Sequence, residues 1–91
     1  MVFLQMATAE PLPGKERELI DRMKGFAEFL RPQPGLVNTF VLREEESGKI
    51  VGLSIWRDKE SFEKGMVGAS GQPPKTPMTR EPPRMQRFNE L

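Results

Sequence analysis

The fold is decided by a predicted β-hairpin, which runs LVNTFVL (residues 36–42), EEESGK (44–49) and IVGLSIW (50–56). Side chains alternate across a strand, so a strand with one buried face alternates apolar and polar residues. Here both faces are apolar. One carries Val37, Val41, Val51, Leu53 and Ile55, and the other carries Leu36, Phe40, Leu42, Ile50 and Trp56. The chain's own helices can cover one face, so we expect a second copy to cover the other, in a homodimer.

The register of this hairpin predicts a pocket. If Leu42 faces Ile50, the pairs that follow are Phe40 with Gly52, Asn38 with Ser54, and Leu36 with Trp56. We assign this face to the helix side because it carries the largest rings. Gly52 and Ser54 are small, so we expect unfilled volume beneath the first helix, with Asn38 and Ser54 as polar groups in an apolar cleft. A register shift of one residue would move Asn38 to the opposite face.

The rest of the chain predicts a ferredoxin-like fold. Strands are expected at Val2–Ala9 and Arg84–Leu91, a helix at Lys15–Leu30, and a second helix that begins near Lys59 with Asp58 as its N-cap. Residues 67–83 are rich in Gly and Pro and predict an irregular connection. The order β-α-β-β-α-β predicts an α+β fold with a four-stranded antiparallel sheet and both helices on one face. Residues 1–91 form one expected domain.

Composition excludes several kinds of site. The 91 residues include no Cys, no His and no Tyr, which removes thiolate chemistry, the commonest general base and the commonest metal ligand. We therefore expect no metal and no cofactor, and the lack of Cys fits the cytoplasm. The 14 basic and 13 acidic residues are well mixed, which argues against nucleic-acid binding. The N-terminal MVFLQ has no basic flank, so we expect neither a signal peptide nor a membrane span.

Four short motifs resemble the antibiotic biosynthesis monooxygenase family. They are PGKEREL (13–19), PGLV (34–37), IWRDKESF (55–62) and EPP (81–83), and the resemblance covers residues 3–66 and 81–91. It implies a dimeric α/β barrel, in which two subunits pack sheet against sheet and each holds a substrate cavity between its sheet and its helices. Members of the family include cofactor-free oxygenases of polycyclic phenols, quinol oxygenases and haem-degrading enzymes.

The resemblance carries over residue by residue only in part. The family's tryptophan at the end of the third strand is Trp56. Haem-degrading relatives have an asparagine where this chain has Ala7 and a histidine where it has Met66, so haem chemistry is not expected. Phenol-oxidising relatives have an asparagine at the position of Gly52, and a tyrosine that is absent here.

The leading hypothesis is a cofactor-independent monooxygenase acting on a small aromatic or quinol-type substrate. Trp56 and Asn38 are the candidate catalytic residues, and the candidate substrate-binding residues are Phe40, Gly52, Ser54, Arg57 and Phe26. Such chemistry needs a phenol that loses its proton in place and donors that stabilise the anion. Two alternatives stay open: a non-catalytic dimeric barrel that binds a hydrophobic small molecule, and an interaction module that uses its Pro-rich loop. The alternative interpretations are that Trp56 is a core or interface aromatic, that Asn38 bonds across the sheet or to water, and that Gly52 marks a bulge or close helix packing.

Overall fold

The hairpin lies within a four-stranded antiparallel sheet. The computed structural model describes residues 1–67 and 78–91. Its elements are β1 (Phe3–Ala9), α1 (Glu16–Leu30), β2 (Leu36–Arg43), β3 (Ile50–Trp56), α2 (Lys59–Val67) and β4 (Arg84–Asn89). The strand order is β2-β3-β1-β4. The predicted ferredoxin-like α+β fold is confirmed, while most of the predicted 67–83 connection lies outside the described residues.

The register of the hairpin differs from the predicted one. Arg43, and not Leu42, pairs with Ile50, because the turn closes on the backbone bond from Glu44 N–H to Lys49 O (2.8 Å) and Gly48 adopts φ 74°. A bulge between Leu36 and Asn38 then returns the strands to the predicted Leu36–Trp56 pair. An extra residue in one strand re-aims the side chains on one side of the bulge relative to the other.

This shift of one residue exchanges the faces of β2. Thr39 and Val41 now lie on the helix side, where Thr39 is buried and Val41 packs against the core. Phe40 and Leu42 are 41% and 46% exposed and lie on the opposite side, together with Leu53 of β3. The predicted placement of Phe40 and Leu42 under the helices is therefore wrong, as is that of Val41 on the uncovered face.

The uncovered side of the sheet, which we call the open face, carries large apolar side chains on all four strands. None of its large side chains is fully buried by the described residues. It carries Leu4 and Met6 from β1, Phe40 and Leu42 from β2, Val51, Leu53 and Ile55 from β3, and Phe88 from β4. The three β3 residues are those predicted for this face.

The helices form one layer on the other side of the sheet. Leu19, Ala27 and Leu30 make the buried face of α1. Asp58 caps α2 as predicted, since its Oδ1 accepts the Ser61 backbone N–H at 2.7 Å. Two apolar clusters fill the space between the layers: Phe3, Leu30, Trp56 and Phe62 at one end, and Ala9, Leu19, Ile50 and Met78 at the other. Within residues 1–67 and 78–91, neither helix has the length and apolar character that a membrane crossing requires.

Candidate functional site

A cavity of about 360 Å³ lies between the sheet and α1, in the gap between the two core clusters. Its volume falls at the lower end of the range of small-molecule pockets. The walls are largely apolar. The residues that border it are Gln5, Ala7, Arg22, Met23, Phe26, Ala27, Leu30, Thr39, Phe40, Val41, Gly52, Leu53, Ser54, Met66, Pro83 and Met85.

A row of polar side chains crosses the cavity floor. The sheet register aligns Thr39 of β2 with Ser54 of β3, Ser54 with Gln5 of β1, and Gln5 with Arg87 of β4. We call Thr39, Ser54 and Gln5 the polar row. All three are buried, with exposures of 6%, 6% and 8%, and all three border the cavity. Arg87 is held aside, with its guanidinium 5.2 Å from the centroid of the Phe62 ring.

The next row of the sheet explains why the cavity is open. It aligns Val41, Gly52, Ala7 and Met85 across the four strands, and its two central members are small. A Cβ built on Gly52 would lie 3.0 Å from Met23 Cε, the end of a flexible side chain of α1, so Met23 would have to shift to make room for a larger residue. Gly52 and Ala7 therefore leave space above the sheet, which Met23 fills in part and the cavity takes up in part.

Trp56 lies in the core beside the cavity and does not border it. It is fully buried, its ring meets that of Phe62 edge-on at 5.9 Å, and its indole Nε1–H donates a 3.0 Å hydrogen bond to Ser54 Oγ. Since the N–H already has this partner, Trp56 reaches the cavity only through Ser54. A catalytic role for Trp56 stays a prediction, and in this geometry such a role would be exerted through Ser54.

The other predicted site residues are only partly brought together. Asn38 lies on the open face, and its Oδ1 accepts the Thr39 backbone N–H at 2.8 Å, so the expected placement of Asn38 in the cleft is wrong. Phe40 borders the cavity although its side chain alternates to the open face. Arg57 is exposed and pairs with Asp58 at 3.5 Å, away from the cavity. Phe26, with Gly52 and Ser54, does border it, and the binding roles of these three stay predictions.

Two members of the polar row were not anticipated. Thr39 comes to the cavity through the register shift, and its Oγ1 donates to the Leu53 carbonyl at 3.1 Å. Gln5 has a signal in the sequence, because it is the polar residue at a position in phase with Phe3, Ala7 and Ala9. A polar residue in phase with a buried face indicates either a satisfied core group or a cavity group.

Charge is scarce around the cavity. Of the described residues that border it, Arg22 is the one charged side chain, and it lies exposed on α1. No described carboxylate is available there as a base. Hydrogen bonds from Ser61 and Ser47 lower the pKa values of Asp58 and Glu44, respectively, but both carboxylates lie outside the cavity.

The chain lacks the commonest proximal ligands of haem iron. Haem iron is commonly held by a proximal His, Cys or Tyr, and the sequence contains none of the three. Nor do residues 1–67 and 78–91 group three side chains of metal-binding type.

Comparison with known families identifies the chain's relatives. A family model described as antibiotic biosynthesis monooxygenase matches residues 2–64. The chain belongs to this family. The resemblance predicted from the four motifs is thereby confirmed. No curated protein sequence matches the chain.

Solved structures share the fold of this antibiotic biosynthesis monooxygenase family member at low sequence identity. Rv0793 from Mycobacterium tuberculosis superimposes with a TM-score of 0.83 at 12% identity, covering 100% of this chain and 96% of that one. PA3566 from Pseudomonas aeruginosa gives 0.76 at 14% identity, with 99% and 94% covered. The haem degrader MhuD from M. tuberculosis, solved with two haems in its active site, gives 0.73 at 17% identity, with 98% and 95% covered.

Proposed function

We propose that the protein binds a small, largely apolar, ring-containing molecule in the cavity between the sheet and α1. The observation that carries this proposal is the contrast within the cavity, where apolar walls enclose a buried polar row. Ligand sites combine an apolar surface, which supplies affinity, with a few polar groups that fix orientation. Phe26 and Met23 supply flat or adaptable surface on the helix side, and Gln5 and Ser54 supply polar atoms on the sheet side.

Membership of the family supports a second step, cofactor-independent oxygenation of the bound molecule. In the simplest balanced form, a ring CH₂ next to a phenol or ketone reacts with O₂ to give C=O and water, so the substrate supplies all the electrons. The described cavity lining offers no carboxylate base. A substrate that is already acidic near neutral pH does not need a carboxylate base, because its proton can pass to water. Arg22 lies where a cation can stabilise the resulting anion.

We also propose that a second copy of the chain covers the open face, in the cytoplasm. Both described helices pack on the opposite side of the sheet, so no described element shields Leu53 or its apolar neighbours. Of the side chains on this face, Arg84 is the charged one and lies at the end of β4. An identical face related by a two-fold axis is complementary to such a surface.

Ligand titration tests binding and oxygen uptake tests turnover. The protein is titrated with anthrones, quinols and simple aromatic ketones while the fluorescence of Trp56, the single tryptophan, is followed. The tryptophan reports on the cavity because its N–H bonds to Ser54. Oxygen consumption is then measured with each compound that binds. Saturable binding without oxygen uptake supports the binding protein, and binding with uptake supports the oxygenase.

Matched variants separate the cavity from the rest of the chain. Ser54→Ala removes a hydroxyl from the cavity floor and should weaken binding, whereas Ser47→Ala, the same change in the exposed hairpin turn, should not. If no compound of the panel binds to the wild-type protein, the proposal fails. It fails equally if Ser47→Ala weakens binding as much as Ser54→Ala does.

A further inference from the structure

Gln5 is the one member of the polar row whose side chain has no hydrogen-bond partner within residues 1–67 and 78–91. It is nevertheless more than nine-tenths buried. No fully buried side-chain nitrogen or oxygen in the described chain lacks a partner, so the unpaired polar atoms of Gln5 keep some accessible surface, and Gln5 borders the cavity. An amide without a protein partner has hydrogen-bonding capacity that a ligand atom can use.

The neighbouring hydroxyls have different capacities. Thr39 Oγ1 already donates its proton to the Leu53 carbonyl, so it can offer the cavity only an acceptor. Ser54 Oγ accepts the indole N–H of Trp56, which leaves its own proton free to be donated. Gln5 adds two N–H donors and one carbonyl acceptor. The Ser54 hydroxyl proton and the two Gln5 N–H groups are therefore donors that no described group uses at this end of the polar row.

Gln5 and Ser54 stand directly opposite each other on β1 and β3. Side chains in such pairs have Cβ atoms roughly 4.5–5.5 Å apart, so their donors can converge on one ligand atom. An oxygen with two lone pairs, in a carbonyl or a phenolate, accepts two such hydrogen bonds. Apolar cavity walls strengthen both bonds, because little water competes for them.

Resting on the proposed function, we infer that Gln5 and Ser54 form a two-donor site that selects ring-containing ligands with a carbonyl or phenolate oxygen. The same pair would stabilise negative charge that develops on that oxygen. Trp56 acts here as a positioning residue, since its N–H occupies a lone pair of Ser54 and leaves the hydroxyl proton free for the ligand. The ligand class is thus an aromatic ketone or phenol, and a pure hydrocarbon is disfavoured.

The test uses two probes that differ in one group. In 1-tetralone a carbonyl replaces a CH₂ of tetralin, and the titrations are made without O₂ so that neither probe can be oxygenated. Affinities of both are measured by calorimetry for the wild-type protein, for Gln5→Met and for Gln86→Met. Gln86 lies opposite Met6 on the open face, so Gln86→Met is the same chemical change on the other side of the sheet. The ratio of the two dissociation constants cancels changes that affect both probes equally.

We expect Gln5→Met to reduce the preference for 1-tetralone over tetralin by roughly threefold to tenfold, as the loss of one hydrogen bond implies. Gln86→Met should leave the preference unchanged. In the wild-type protein, 1-tetralone should also shift the NMR signals of the Gln5 side-chain amide, and tetralin should not; this readout needs no variant to fold. An unchanged preference in Gln5→Met, or equal amide shifts with both probes, overturns the two-donor site while binding itself stands. Failure of both probes to bind overturns the proposed function instead.

Discussion

Replacing Gly65 with Ala should destabilise the protein, although alanine is the better helix former. Gly65 lies in α2 against the ring of Trp56, and a Cβ built there would lie 2.7 Å from Trp56 Cζ3 and closer still to Cη2. The ring has no room to retreat, because it is fully buried against Phe62 and is fixed by its hydrogen bond to Ser54. The helix must therefore move away from the sheet.

The size of the effect follows from two opposed terms. Overpacking of this kind costs about 1–3 kcal/mol. The gain in helix propensity from Gly to Ala offsets up to about 1 kcal/mol of that cost. We expect a net loss of about 1–2 kcal/mol in the free energy of unfolding, which lowers the melting temperature by about 5–15 °C in a domain of this size.

Gly25 provides the matched control. It lies in α1 with no atom within 4 Å of a built Cβ, so Gly25→Ala should gain the helix propensity term alone and stabilise by about 0.5–1 kcal/mol. Urea unfolding is followed by circular dichroism and by Trp56 fluorescence, at one protein concentration because dimer formation would shift the midpoint. If Gly65→Ala is as stable as Gly25→Ala, the packing of α2 against Trp56 is not as tight as the reasoning requires.

Three further predictions address the interface, the cavity and the helix cap. Leu53→Asp should halve the mass measured by light scattering, because it places a charge in a dry sheet–sheet interface, whereas Leu53→Met should not; an unchanged mass for Leu53→Asp contradicts the proposed dimer. Gly52→Leu should fill the cavity against Met23 and weaken 1-tetralone binding at least tenfold with the circular dichroism spectrum unchanged, and retained affinity would show that the ligand binds elsewhere. The Ser61 backbone N–H lowers the pKa of Asp58 below its ordinary 3.8. The stabilisation by the carboxylate is therefore present above that ordinary value and is lost as the pH falls through the lower folded value. In urea unfolding, the stability advantage of wild type over Asp58→Asn should shrink as the pH falls below the ordinary value. A constant advantage would argue against stabilisation by the charge of Asp58.

The sequence was sufficient for the elements and their order. Helical spacing of apolar residues located α1, the end of the hairpin located Asp58 as a cap, and β3 was predicted with its observed bounds. Each of these signals is local, and each agrees with the tertiary packing. The pairing of Leu36 with Trp56 was also predicted, although the register between them and the turn was not.

The register error has a physical cause in β2 itself. Val37, Phe40, Val41 and Leu42 place apolar side chains on both faces, so neither register exposes more apolar surface than the other by an obvious margin. The apolar residues on both faces of β2, which indicated an uncovered sheet face, therefore could not indicate which residues of β2 and β3 pair. The outcome depended on the closure of the turn at Glu44 and Lys49, which the composition of a charged turn does not specify.

The cavity follows from the same sheet geometry as the open face. In β3, Gly52 and Ser54 turn towards α1 and Leu53 turns away, while the carbonyl of Leu53 accepts the hydroxyl proton of Thr39. The backbone of Leu53 therefore accepts the hydrogen bond of Thr39, which borders the cavity. The side chain of Leu53 lies on the open face, where the second copy is proposed to bind. A change in packing that moves β3 must therefore alter the Thr39–Leu53 hydrogen bond and the open face together. A ligand held by Gln5 and Ser54 would accordingly be sensitive to dimer formation, even though no residue of the polar row points towards the partner.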